Sequence, residues 1–195
     1  MNSDDSSHLP VQQNNNQALG DIVAGNKNET TNINQFGTPA PSSHLARLLE
    51  RYRHELEHDE RTSENLKELQ RYGEAKEDPL IPIETKLNEG SRGDLIDYAL
   101  ETKECFAKQL VLHTHFESAQ RIHLHLLSRI WSVFQTRILP QIRAGQSRLV
   151  IERLIQSEII DPTLADLRDN PFDYTDREVQ GMLYYLTGNC HIRWA

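Results

Sequence analysis

Residues 45–58 read LARLLERYRHELEH, and two readings compete for them. Leu45, Leu48, Leu49, Tyr52 and Leu56 recur at spacings of three and four, which draws one apolar stripe along an α-helix. The same stretch closes on His54, Glu55, Leu56, Glu57 and His58, an H-E-x-x-H pattern. In that pattern both histidines share one helical face and aim at a zinc ion, with Glu55 beside them as general base. The stripe sets the fold, and the surroundings weigh the motif. Arg53 precedes it, Glu57 fills a normally uncharged internal position, Asp59 and Glu60 follow, and no second motif supplies a third ligand. The pattern therefore reads as a solvated helix face, and a zinc-dependent hydrolase is the alternative rather than the leading reading.

Helical signals continue outward from this stretch. Leu66, Leu69 and Tyr72 mark a second helix before EDPLIPI, with Pro79 and Pro82, interrupts the pattern. Ser91 and Asp94 resemble a capping box that opens a long helix through Leu95, Ala99, Thr102, Phe106 and Leu110. Another runs from Ser118 through Ile122, Leu126, Ile130, Val133 and Phe134 to Pro140. Ser147 starts a further one, with Leu149, Val150, Leu154 and Ile155 inward, stopped by Asp161 and Pro162. Thr175 and Glu178 form an N-cap pair ahead of Val179, Met182, Leu183 and Leu186, and Gly188 suits a left-handed C-terminal cap. Residues 43–195 are expected to be an all-α bundle of about six helices. An extended C-terminal tail follows, in which Cys190, Ile192 and Trp194 share one edge and Trp194 packs back on the bundle.

Residues 1–42 are rich in Asn, Gln, Ser, Thr, Gly and Pro, and this composition predicts a disordered tail and linker. Within it, residues 20–36 suggest a short β-hairpin, with Ile22 and Val23 on one strand and Ile33 on the other. A lone hairpin is marginal in water, so this one either stays mobile or pairs with another chain, giving a homo-oligomer.

The 195 residues carry a formal net charge of −8 and are 37% hydrophobic. An acidic total argues against a protein that coats nucleic acid. Neither a signal peptide nor an apolar run long enough for a membrane span is present, and two cysteines make no disulfide framework. The expected location is the cytoplasm.

Other candidate sites are weaker than their structural readings. His113 with His115, and His123 with His125, cluster near one helix-to-helix turn. Side chains two apart on a helix diverge, so at most one of each pair faces a common point. Cys190 and His191 are adjacent, which is poor geometry for a thiol nucleophile and its base. Between Glu117 and Glu152 no acidic residue occurs, while Arg121, Arg129, Arg137, Arg143 and Arg148 do. This segment, 121–153, is the candidate surface for a phosphate backbone or an acidic partner, set against pairing with acidic helices such as the one carrying Glu101 and Glu104. No catalytic constellation, metal site or cofactor motif is read from the chain.

The run GMLYYLTGNCHIRWA at residues 181–195 resembles the terminal signature of the C-terminal domain of bacterial ABC-three component systems. IETKLNEGSRGDLIDYALETKECFAKQL and ESAQRIHLHLLSRI resemble the body of that domain in matching order, so the likeness covers roughly residues 44–194. The resemblance implies a conflict system directed at mobile elements or phage, in which an ABC or SMC-like ATPase, a middle component and a third protein ending in this domain work together. An effector such as a nuclease or peptidase usually precedes the domain, whereas here only the Asn-rich segment does. The implied role is a non-enzymatic adaptor whose partners are the ATPase and the middle component. Gly188, Asn189, Cys190, His191, Arg193 and Trp194 match the signature and are the candidate partner-binding residues, with Arg121, Arg129 and Arg137 beside them.

Overall fold

The computed structural model describes residues 43–76, 79–167 and 170–195; the expected hairpin at 20–36 and the rest of residues 1–42 lie outside them. In chain order come α1 (Ser43–Glu57), α2 (Lys67–Gly73) and α3 (Ile83–Glu89), then α4 (Ile96–His113), entered through a 3-10 turn at Gly93–Leu95. α5 (Glu117–Val133) runs through a π-helical turn at Phe134–Ile138 into α6 (Leu139–Arg143). α7 (Arg148–Ile155) runs likewise through Gln156–Ile160 into α8 (Asp161–Leu167), and α9 (Asp176–Gly188) ends the helical part. Among the described residues there is no strand, so the fold is all-α. The rods read from the sequence are all present. α3 is one more, since Pro82 stands at its N-cap and its Ile83 and Leu87 are buried behind the expected break.

α4 and α9 form the most extensive helix pair. Gly181 of α9 sits against α4 where a Cβ would lie 2.5 Å from the Thr102 carbonyl oxygen and 2.9 Å from Phe106 Cβ. A side chain there would force the axes apart, so the glycine sets their close approach. Ala99, Thr102, Phe106 and Leu110 of α4 and Val179, Met182, Leu183 and Leu186 of α9 are buried as expected. Thr175 and Glu178 make the expected capping box, with Thr175 N–H donating to Glu178 Oε2 at 2.8 Å. Ser147 caps α7 by accepting from Val150 N.

Three local expectations are corrected. On α1, Leu45, Leu48, Leu49 and Tyr52 are buried, but Leu56 is 43% exposed and Glu55 is buried in its place. Ser91 does not cap α4. It takes a left-handed φ of 56°, and Asp94 instead accepts two hydrogen bonds from Arg148, at 2.6 and 2.8 Å. On α7, Ile151 and Ile155 face inward while Leu149 is 61% exposed and Val150 is also outside.

The prolines read as helix stops do not stop the helices. Leu139 and Asp161 each stand immediately before a proline, and each donates its N–H five residues back, to the carbonyls of Phe134 and Gln156. Proline cannot donate to the carbonyl four residues back, and its ring pushes that carbonyl away. A widened turn relieves the crowding, and the rod continues past Pro140 and Pro162.

Candidate functional site

The signature residues gather where α9 ends. Its last carbonyls are satisfied by a lysine from far upstream: Lys86, fully buried on α3, donates from Nζ to the Thr187 oxygen at 2.6 Å and the Gly188 oxygen at 3.1 Å. A cation at a helix C-terminus also complements the dipole there. Gly188 is not the left-handed residue expected of it. It stays helical, and Cys190 takes the positive φ, 62°. The turn is closed by the His191 and Ile192 amides, both donating to the Leu186 oxygen, at 2.9 and 3.2 Å. What Gly188 provides is room, because a Cβ would come within 2.8 Å of Lys103 Cε.

Beyond the turn the tail alternates as expected. Ile192 is fully buried and Trp194 is 2% exposed. The indole packs edge-on against Phe134, with centroids 5.0 Å apart, and donates from Nε1 to Thr187 Oγ1 at 3.2 Å. The buried Arg92 guanidinium lies 4.4 Å from the Trp194 ring centroid, which is cation–π geometry. Gly90 admits the tail, since a Cβ there would stand 2.4 Å from Trp194 Cβ. Asn189 ties the end of α2 and the segment after it, donating from Nδ2 to the Tyr72 oxygen at 2.8 Å while its own carbonyl accepts from Lys76 N at 3.1 Å.

His191 and Arg193 face the other way. The His191 carbonyl accepts from Trp131 Nε1 at 3.1 Å, and its Nε2 lies 3.1 Å from the Arg71 oxygen. Burial pushes the imidazole below its ordinary pKa, partly offset by that carbonyl. Arg193 is half-buried beside Glu89, at 3.5 Å. His191 forms one wall of an open groove of about 570 Å³, whose other walls include Arg71, Tyr72, Lys76, Leu124 and Trp131. Lys76 Nζ stands 5.8 Å from the Trp131 ring centroid. The groove thus offers an aromatic floor, one cation above it, and a rim of both charges from Glu68, Glu74 and Arg71.

Four arginines of segment 121–153 are tied to acids of the same chain. Arg121 meets Glu117 at 2.8 Å, Arg129 meets Asp166 at 2.8 Å, Arg137 pairs with Glu158, and Arg148 holds Asp94. Asp166 and Glu158 belong to the α7–α8 rod, so two of these pairs strap it to the α5–α6 rod. Glu101 and Glu104, the acids expected to receive them, pair instead with Arg177 and Lys108.

The H-E-x-x-H residues part company. Glu55 accepts from Ser118 N at 3.0 Å and Ser118 Oγ at 2.8 Å, and Arg51 Nε lies 3.0 Å away. It is thereby an N-terminal cap supplied to α5 from another helix, where its charge also meets the dipole favourably. His54 and His58 remain exposed. Among the described residues no group of three or more His, Cys, Asp or Glu is placed to hold a metal ion.

The second histidine cluster is core. His113 and His123 stack with centroids 6.1 Å apart, the Tyr52 hydroxyl meets His113 Nδ1 at 2.7 Å, and His123 Nε2 meets the Tyr174 hydroxyl at 2.6 Å. Burial pushes Tyr52 up to about 12, helped by the charge of Glu55, and drives His123 down to about 3, helped by His113. His115 is exposed, and His125 lies toward Arg129 and Asp166. No sequence signal marks Lys86, Gly90 or Arg92 as supports of the tail, because their partners lie about a hundred residues away.

Buried helices closed by a tail that forms part of the core define an all-α module, and no helix among the described residues is long and apolar enough to cross a membrane. The family model that matches it spans residues 82–194, from the start of α3 to Trp194. The chain belongs to C-terminal domain 9 of the ABC-three component (ABC-3C) systems. Comparison with curated proteins and with solved structures gives no match.

Proposed function

We propose that the chain is a non-enzymatic adaptor of an ABC-three component conflict system, docking onto the ATPase and middle component of its complex through the groove beside the tail. The supporting observation is how the signature divides. Gly188, Asn189, Cys190 and Trp194 are committed to closing the fold, whereas His191 walls an open groove and Arg193 stays partly exposed. Trp131, Tyr72 and Leu124 give that groove apolar surface for a partner side chain, and its charged rim gives orientation. The paired state of Arg121, Arg129 and Arg137 favours this reading over a nucleic-acid surface, since a phosphate would have to displace a carboxylate from each.

The test is co-expression with the ATPase and middle component encoded alongside it, followed by pull-down. Lys76→Glu combined with Arg193→Ala should reduce recovery of the partners by about tenfold, the scale of 1.4 kcal/mol, without moving the melting temperature. Full recovery by that double variant would place docking elsewhere on the molecule.

A further inference from the structure

Of the six arginines between residues 121 and 153, four are held by acids, and Arg143 and Arg153 are left over. Both are exposed, and among the described residues neither guanidinium has a hydrogen bond or an ion pair. In the chain they flank Leu149 and Val150, the apolar pair that α7 turns to solvent instead of into the core. We propose that this corner, from the end of α6 to the outer face of α7, is a docking face for a protein segment in which apolar side chains are bordered by carboxylates.

Arg153 lies four residues after Leu149 and three after Val150, so the three share one face of the helix. Arg143 closes α6, and every residue from 143 to 150 is exposed. The corner is nonetheless fixed in shape. Gly145 takes a left-handed φ of 72°, and the amides of Ala144, Gly145 and Gln146 donate to the carbonyls of Pro140, Ile142 and Gln141 at 2.9, 2.9 and 3.1 Å. Ser147 then caps α7, Ile151 is buried behind it, and Arg148 holds Asp94. A partner would meet a backbone already in place, so binding loses little conformational entropy.

Charge sets the sign of the partner. No acidic residue occurs from 118 to 151, and Glu152 is engaged by Arg92 at 3.3 Å and Arg148 at 3.7 Å. The planar fork of an arginine suits a carboxylate or a phosphate equally. The apolar pair decides between them. Leu149 and Val150 add nothing to the binding of a phosphodiester backbone, which is held by clustered cations, whereas an apolar centre with a charged rim is the anatomy of a protein–protein interface. The occupant is therefore an acidic amphipathic segment of a partner protein. This face shares no residue with the groove beside the tail, and the inference holds whether or not that groove docks the ATPase and the middle component.

Fluorescence anisotropy with the full chain tests it, with three labelled probes: a synthetic amphipathic helix whose leucine stripe is bordered by glutamates, the same helix with lysines in their place, and a DNA duplex. Saturable binding is expected for the glutamate helix and none for the lysine helix. Arg143→Glu combined with Arg153→Glu should weaken that binding by about tenfold or more, and Leu149→Ser by about fivefold. Lys108→Glu, which removes an exposed cation of α4, should leave it unchanged. All four side chains are at the surface, so the variants should keep the wild-type circular dichroism and melting temperature. Absence of saturable binding of the glutamate helix overturns the proposal, as does equal binding of the lysine helix or an affinity that the double arginine variant retains. Tighter binding of the duplex, falling with salt and lost in the same variant, would assign the corner to phosphate and overturn it as well.

Discussion

At the scale of single residues, polar groups inside the bundle carry as much of the design as the apolar ones. Glu55 satisfies two donors at the start of α5, one of them a backbone amide. Glu55→Ala is expected to cost about 2 kcal/mol in a urea titration, because the buried donors lose a charged acceptor; a loss below about half a kcal/mol would mean that water replaces it. His123 sets a pH dependence. Its folded pKa is depressed to about 3, while the unfolded chain's imidazole titrates near 6.5. Below that value the unfolded chain binds a proton that the folded chain refuses, so stability present at neutral pH is lost as pH falls from about 6.5 toward 3. The slope should approach about 1.4 kcal/mol per pH unit. Comparing urea midpoints at pH 7 and pH 5 for wild type and His123→Leu isolates the effect: the variant should show the shallower fall, and equal slopes would assign the dependence to other groups.

At the scale of helices, the α4–α9 crossing depends on one missing side chain. Gly181→Val would press two methyl groups on the Thr102 carbonyl and Phe106, where the first carbon alone would lie 2.5 Å from the oxygen. A cost of about 3 kcal/mol is expected, visible as a lowered melting temperature; a wild-type melting curve would show that the two axes can part freely. This scale is also where the sequence was most and least readable. The stripes of α1, α4 and α9 announced themselves because three-and-four spacing depends only on the chain's own period. The capping box at Thr175 was equally local. The ends of α1 and α7 were misread because a neighbouring helix, not the period, decides which face is inside: Ser118 draws Glu55 in and leaves Leu56 out. Gly188 was assigned the left-handed turn on residue type, yet it is Cys190 that adopts it, held by amide bonds to Leu186. The outward pair of His191 and Arg193 was legible from strict alternation, but the groove beside His191 was not, because residues from α2 and α5 complete it.

At the scale of the whole molecule, the folded body reaches beyond the segment that matches the family, which begins at residue 82. Tyr52 stacks on Phe172 at 4.7 Å and stands edge-on to Phe116 at 5.7 Å, so α1 shares the aromatic core of the matched segment. A chain that starts at residue 43 is expected to melt in one cooperative transition. A chain that starts at residue 82 should lose that transition, having exposed the face of α5 that α1 covers; if it melts like the longer one, α1 and α2 are an accessory layer.

The two widened turns carry a consequence for heredity. Each amounts to one codon more than a regular helix would need, absorbed locally so that the side chains on either side keep their stations. Removing one codon within 134–138 or 156–160 is therefore the deletion each rod should survive best, whereas the same loss a turn away would swing all later side chains by about 100°. Survival has a condition, because Pro140 or Pro162 would then sit in an ordinary turn and clash with the carbonyl four residues before it. The extra codon and its proline are expected to be inherited as a pair, and a lineage that discards one should have discarded the other.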